Sequence, residues 1–517
     1  MSNFSPYSSF SVASLIKEAT AGTPLVPTTP FAFLSESIEA GFGELSVQEM
    51  SGERIRDIRS VPDKIELGGD IEFLVEPKRI GNFLRSLFGA PTTQTLVAAT
   101  SFRHRFNVGD TPLTYTFDIQ PADAPWVHRF YGVQINKLAF SIQDNLIKCV
   151  CSLMPRKAFI AARVTAATSS GTNLPLDQTS GLVVGDVLRI CQNEDGYTSV
   201  AEHTISAIVD ENNVTVNTIS ASIDATDIAV IKRQSLTYSQ DLEFTWLGGA
   251  QLYTGDDIDN TTAEDFEDFS LEFLNEVEAR FFAGVDEEAR YAGDILTKGF
   301  SASGNVMKFY DSQSKLDKAR KNEALGLRVL VQGETAISAN SAIAARTYWG
   351  TGNGFYVEAD ATGKASNDWN VTIVIAANDT LAASLAAGTK NITISLANTT
   401  ASKNTGTLIA TAVAALTGVT AAAEGTGAQQ FTAAVANANL GTDDPGGTAG
   451  TVGRDASEKP YLQFDMADAR IQKYSPNASE DAILEESIPL KFYKDTVGAI
   501  KKDWLCRIFL VNDVSSY

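Results

Sequence analysis

The chain has 517 residues, 44% hydrophobic and 20% charged, enough for roughly three to five domains with real cores. Lys and Arg number 41 against 63 Asp and Glu, a formal charge of −22. That balance repels phosphates and anionic lipid surfaces, so it excludes a basic nucleic-acid binder and an electrostatic membrane clamp.

Three histidines, His104, His128 and His203, stand too far apart for a helical zinc motif. Cys149 and Cys151 are two apart in a predicted strand, so they share a face and read, with Cys191 and Cys506, as buried apolar groups of a reducing compartment. The first residues lack a basic region followed by an apolar core, so no secretory signal is expected. The uncharged stretch 404–423 is Ala/Thr/Gly-rich rather than Leu-rich and reads as part of a small soluble domain.

Residues 1–35 carry Pro6, Pro24, Pro27 and Pro30 and read as an extended arm that orders against a neighbour. A first block, 36–157, follows. In KIELGGDIEFLVEP, Ile65, Leu67, Ile71, Phe73 and Val75 alternate with polar residues, which predicts a strand bent at Gly68-Gly69. Ile80, Phe83, Leu84 and Leu87 then fall at helical spacing, with Pro77 before them and Gly89 as the stop. LTYTFDIQ and a hairpin turning at Gln143-Asp144-Asn145 complete the block.

Residues 158–234 are Val/Ile/Thr/Asn-rich, with short regular strands that suggest an inserted small barrel or sandwich. Residues 235–339 return to the first style. Leu242, Phe244 and Trp246 alternate, FSLEFLNEVEARFF reads as strand–turn–strand, and a short helix over SQSKLDKARKNEA precedes the strand LGLRVLVQG. Residues 340–455, Ala/Thr/Gly-rich, read as a second insert, and 456–517 supply the final strands of the second block. The two blocks share an order of parts, which predicts an old duplication. The fold expected is mainly β (α+β): two tandem units, each with a short helix, plus two small β-rich inserts.

No Walker A loop, GxSxG elbow or metal-ligand spacing occurs. TGDDIDNTTAEDFEDF lacks the mid-loop glycine and closing glutamate of a calcium loop. No catalytic residue, cofactor or metal is therefore assigned. Arg54, Arg56, Asp57 and Arg59 lie in a predicted loop over about 40–62, where mixed charge suits a protein–protein contact.

GGDIEFLVEPKRIGNFLRSLFG, HRFYGVQINKLAFSIQDNLIKCVCSLM and the segment from DFSLEFLNEVEARFF to KLDKARKNE resemble the tail tube proteins of long-tailed bacteriophages over roughly 300 residues. The resemblance implies a virion structural protein, assembled in the host cytoplasm, whose sheets join around a channel. A doubled block implies homotrimeric rings of pseudo-sixfold symmetry; without the duplication a hexamer is expected. It also implies tail tip and tail terminator proteins as partners, and a tape measure protein and DNA that pass through the lumen without specific binding. Glu66, Asp70, Glu72, Glu272, Glu276 and Glu278 are the candidate acidic residues of that lumen, and Arg54, Arg56, Asp57 and Arg59 the candidate inter-ring contact. The rival expectation is a tail-associated adhesin or decoration protein that binds or degrades glycans, with a carboxylate pair in an aromatic-lined cleft.

Overall fold

Period-two alternation dominates the sequence, and the chain is accordingly mainly β. The computed structural model describes residues 13–48, 57–97, 100–109, 113–120, 124–192, 199–236, 243–256, 258, 261–282, 290–309, 314–334, 337, 344–350, 353–362, 366, 368–387, 389–440, 448–451, 459–473, 475–477, 485–494 and 504–517.

Outside the inserts the strands, in chain order, are β1 (Ala13–Lys17), β2 (Thr29–Phe31), β3 (Ser35–Glu36), β4 (Glu39–Gln48), β5 (Asp57–Leu74), β6 (Thr92–Val97), β7 (Ser101–Asn107), β8 (Tyr115–Ile119), β9 (Trp126–Gln143), β10 (Leu146–Met154) and β11 (Lys157–Phe159). After the first insert come β12 (Ala250–Gly255), β13 (Thr261–Glu264), β14 (Asp268–Leu274), β15 (Val277–Arg280), β16 (Asp294–Thr297), β17 (Ser301–Phe309) and β18 (Leu325–Gln332). After the second come β19 (Tyr461–Ile471), β20 (Ser475–Asn477), β21 (Glu485–Tyr493) and β22 (Cys506–Asn512). Helices α1 (Ile80–Phe88) and α2 (Ser314–Lys321) follow β5 and β17, and α3 (Gly406–Ala414) lies in the second insert.

The chain divides into two compact units, 1–90 with 108–243 and 270–303, and 91–107 with 244–269 and 304–517. These bounds cut across the blocks 36–157 and 235–339: the β6–β7 hairpin joins the second unit, and residues 270–303 join the first.

In the first unit β9 is the spine. Its early half pairs with β8 on one side and β11 on the other. Its later half pairs with β10 and β14. β10 in turn pairs with β5, β8 with β1, and β1 with β2. The apolar frame of these strands, including Ile71, Phe73, Cys149, Cys151, Leu138 and Phe140, is fully buried or nearly so. All four cysteines are buried thiols outside any disulfide, and burial pushes those of Cys149, Cys151 and Cys506 up. Helix α1 seats Ile80, Phe83, Leu84 and Leu87 in this core, each side chain contributing roughly 1.5–3 kcal/mol. The Phe83 ring lies 4.4 Å from Phe73 and 5.3 Å from Phe31. Gly89, at φ 98°, ends the helix by donating its N–H to the Arg85 carbonyl.

The described part of the predicted arm is structured. Ala13, Leu15 and Phe31 are buried. The buried Glu18 carboxylate accepts from the N–H groups of Gly22 and Gly132 at 2.7 Å and from the Thr116 hydroxyl at 2.9 Å. Proline content argued against regular structure, but two short strands and one carboxylate suffice to hold this segment to the sheet. In the stretch predicted as a loop over 40–62, β4 and β5 pair antiparallel from Glu39↔Gly68 to Gln48↔Asp57, with register shifts after Phe42 and after Val47. Leu242 lies outside the described residues, and the expected strand through Phe244 and Trp246 gives way to a turn at Gly248 (φ 81°), with Trp246 packed edge-on to Phe266.

In the second unit β19 is the spine. β18 runs along it from Tyr461 to Ala469 on one side, and β22 pairs with its early half on the other. Its end pairs with β21, which also pairs with β20 and β17. β18 pairs with β12, and β12 with β13. β22 is extended by the β7–β6 hairpin.

Each insert has its own core. In the first, Leu174, Leu188, Ile190, Ile205, Val214, Val216 and Ala229 pack with Val127 and Phe159. The second is built of two four-stranded sheets, around Trp349, Phe355, Val371, Ile373, Ile394 and α3 residues Ile409 and Val413. Within it, Asn370–Ile375 and Asn391–Leu396 run parallel. The uncharged stretch 404–423 forms the short α3 and a strand. No described helix is long and apolar enough to cross a membrane.

Candidate assembly surfaces

Strands β5, β10, β9 and β14 lie side by side, and their polar frame forms one open face. Along a single row, Glu72 is opposite Val150, Val150 opposite Ala139, and Ala139 opposite Glu272. Asp70 stands one pleat further along β5, opposite Ser152, whose hydroxyl donates to its carboxylate. Lys137 and Lys148 share the face, and the Lys148 ammonium is 3.0 Å from Glu72. The structure thus brings Asp70, Glu72 and Glu272 onto one surface with small side chains between them.

The other predicted acids are placed differently. Glu66 is exposed on β5 beyond the Gly68-Gly69 bend and paired with Lys64. Glu276 occupies the turn after β14 in the left-handed region, φ 32°. Glu278 sits on β15, and its ion pair with Lys298 holds its carboxyl below the usual range. An open cleft of about 850 Å³ is lined by Glu39, Glu66, Asp70 and Glu278, with Lys64 the one cation among its described lining residues. Arg54 and Arg56 lie outside the described residues; Asp57 and Arg59 begin β5.

The β4–β5 hairpin carries apolar side chains into solvent. Phe42 is 64% exposed, Leu45 56% and Val61 44%. Leu45 and Val61 are directly opposite, and Val61 is in the same frame as the buried Ile65. The apolar face of the sheet therefore continues along the hairpin without a cover.

Two arginine clamps were not anticipated. On the first unit, Asp118 of β8 is directly opposite Arg129 of β9. The fully buried Arg129 gives two hydrogen bonds to Asp118, at 2.8 and 2.9 Å, and two to Asp186 of the first insert, at 2.6 and 2.9 Å. On the second unit, Arg328 of β18 is directly opposite Asp465 of β19. It bonds both Asp465 oxygens, at 2.8 and 3.2 Å, and Asp368 of the second insert at 3.2 Å. Burial pushes the Asp118 carboxyl up against the pull of Arg129, with Asp186 adding to the push. The only local signal was a charge in a strand whose neighbours are all apolar, as in Phe117-Asp118-Ile119.

No curated protein matches the chain. Residues 11–257, from just before β1 to just after β12, match the family described as phage tail tube protein. This match, over just under half of the chain, supports a phage tail tube protein, a structural component of the virion's tail.

Proposed function

We propose that copies of this chain close into rings that stack into a tube, and that viral DNA passes through the bore. The observation that carries the reading is a repeated order of pairings. From β1 and β2 through β5, α1, β8, β9, β10 and β11, each partner relation recurs in β12, β13, β17, α2, β18, β19, β21 and β22. The sequence carries the echo Ile38-Glu39-Ala40-Gly41-Phe42 and Val277-Glu278-Ala279-Arg280-Phe281. Two copies of one unit per chain make three chains sufficient for six units around a ring.

The face holding Asp70, Glu72 and Glu272 is the wall of the bore in this reading. An anionic wall repels phosphates and lets DNA slide, which suits a chain of charge −22. Arg54, Arg56, Asp57 and Arg59 make the contact with the next ring in this reading. The inserts project outward, since an insert in the lumen would block it. The chain has no catalytic task; tail tip, terminator and tape measure proteins are its partners, and assembly takes place in the host cytoplasm.

Electron microscopy of the purified full chain tests this. Hollow stacked rings of three chains are expected, with Asp70, Glu72 and Glu272 on the inner wall. A protein that stays monomeric, or a bore lined by Lys and Arg, overturns it.

A further inference from the structure

One face of the second unit's sheet buries an arginine that has no counter-ion among the described residues. β7 lies between β6 and β22, and its alternate residues Ser101, Arg103, Arg105 and Asn107 share one face. The other frame, Phe102, His104 and Phe106, is buried with Ile508 and Leu510 of β22. On the first face, Gln94 of β6 and Val511 of β22 stand opposite Arg103. Phe509 stands opposite Arg105, and Arg507 opposite Asn107. Arg103, Arg105 and Arg507 thus lie together on one side of the sheet, in a chain whose formal charge is −22.

Arg103 is 6% exposed. Its guanidinium carbon is 4.2 Å from the centroid of the Phe509 ring, so the ring holds the plane of the group and leaves its N–H edges for hydrogen bonds. Among the described residues, Nε is buried without an acceptor, and no ion pair joins Arg103 to a carboxylate. Ser101 Oγ and Asn107 Oδ1, on the same face, are also buried without partners among those residues. Asp465 of β19 stands opposite Arg507, two rows from Arg103. It already accepts two hydrogen bonds from Arg328 and two from the Gln463 amide, so it is not the counter-ion of Arg103.

A guanidinium taken out of water without an anion is costly, and buried polar groups nearly always find partners. Arg129 and Arg328 obey that rule, each held by two carboxylates. Arg103 departs from it, and what it lacks is an acceptor for its fork.

We propose that this face takes a carboxylate side chain of a partner protein, an Asp or Glu within a short acidic segment, with Arg103 as its buried anchor and Ser101, Arg105 and Asn107 beside it. The planar fork of a guanidinium matches a carboxylate in a bidentate pair. A carboxylate on a flexible side chain reaches a recessed group that the thick backbone of a nucleic acid does not. The negative field of the chain also opposes a polyanion far more than a segment with two or three acids. The inference stands on the second unit alone and does not need the ring reading.

The test uses the full-length protein and a short capped peptide of alternating Glu and Ala, read by anisotropy of the labelled peptide and by thermal unfolding. The wild type is expected to bind the peptide and to unfold at a higher temperature in its presence. Arg103→Met keeps the packed stem and removes the charge. Without peptide it should unfold no earlier than the wild type, since the charge it removes has no partner in the free chain. Its affinity for the peptide should be about tenfold lower or weaker still. Arg103→Lys, which keeps the charge but loses the fork, should fall between the two. A wild type that does not bind the peptide, or equal affinity in wild type and both variants, overturns the proposal. So does an Arg103→Met chain that unfolds earlier without peptide, because the guanidinium is then a group that holds the fold. Displacement of the peptide by inorganic phosphate or a short single-stranded DNA at equal charge also overturns it, because the face then selects phosphate.

Discussion

Replacing Arg129 by Met removes the one cation between two buried carboxylates. The side chain is fully buried, as is Asp186, and Asp118 is only 7% exposed. Four hydrogen bonds of 2.6–2.9 Å are lost. Asp186 keeps the Val183 N–H at 2.8 Å, so part of its solvation survives. Breaking a buried pair from one side costs about 3–5 kcal/mol, because the stranded charge has no water to return to. About 4 kcal/mol is expected here, and it should fall on the opening of the first unit. Hydrogen exchange at the amides of β8 and β9 reads that opening directly, and should accelerate roughly a thousandfold. Adding Asp118→Asn and Asp186→Asn should recover more than half of the loss, since it removes the stranded charges. Acidification should help the single variant too. A carboxyl raised in the folded state stabilises at low pH, and this contribution is lost as pH rises through its folded value. An acceleration below tenfold, or a neutralised triple variant no better than Arg129→Met, refutes the electrostatic account.

The second clamp should be weaker: Arg328 is 16% exposed and Asp368 28%, so water screens it, and Arg328→Met should accelerate exchange in β18 and β19 by clearly less than Arg129→Met does in β8 and β9. His104 lies buried between Thr93, whose hydroxyl is 2.9 Å from Nδ1, and the Val514 carbonyl, 2.8 Å from Nε2. Burial lowers its pKa below 6.5, so its contribution is complete above about pH 6.5 and is lost as pH falls through the folded value. Exchange in β7 and β22 should quicken on acidification in the wild type and respond less in His104→Gln. Gly69 has φ 152°, and a Cβ there would sit 2.4 Å from the Ser37 carbonyl oxygen and 2.6 Å from the Ile38 Cα. Both are backbone atoms, so Gly69→Ala should destabilise the β3–β5 contact by about 2 kcal/mol, seen as faster exchange at Ser37.

Much of this architecture is written in local periodicity. The strand through Ile65–Val75, the helix through Ile80–Leu87 and the turn at Asp144-Asn145, both in the left-handed region, follow from spacing and from residues that tolerate positive φ. The β4–β5 hairpin was hidden because its apolar residues meet no core, so Phe42, Leu45 and Val61 read as scattered apolar residues among charges. The same period placed Glu66 and Glu278 among acidic candidates, but could not place Lys64 and Lys298 against them, since a pair is set by register and not by spacing. The clamps are further still from local reading. Arg129 and Asp118 are 11 residues apart and Asp186 is 57 from Arg129, so only the folded sheet and its insert bring them together.

The two clamps nevertheless obey one rule. In each, a strand pair after the helix supplies an Arg and an Asp directly opposite, and the nearest insert supplies the second carboxylate. The roles are exchanged: β9 carries the Arg in the first unit, and β18, the partner strand, carries it in the second. A cross-strand pair is symmetric with respect to which strand bears the cation, so the exchange leaves the geometry intact. The inserts enter at different points, after β11 in one case and between β18 and β19 in the other. Convergence on the same strand pair therefore does not come from a shared loop. A guanidinium already held by one carboxylate still offers donors, and a second acidic side chain that reaches them is fixed in direction as well as distance. Each insert is thereby tied to its own sheet by a charge-assisted hydrogen bond that fixes direction as well as distance.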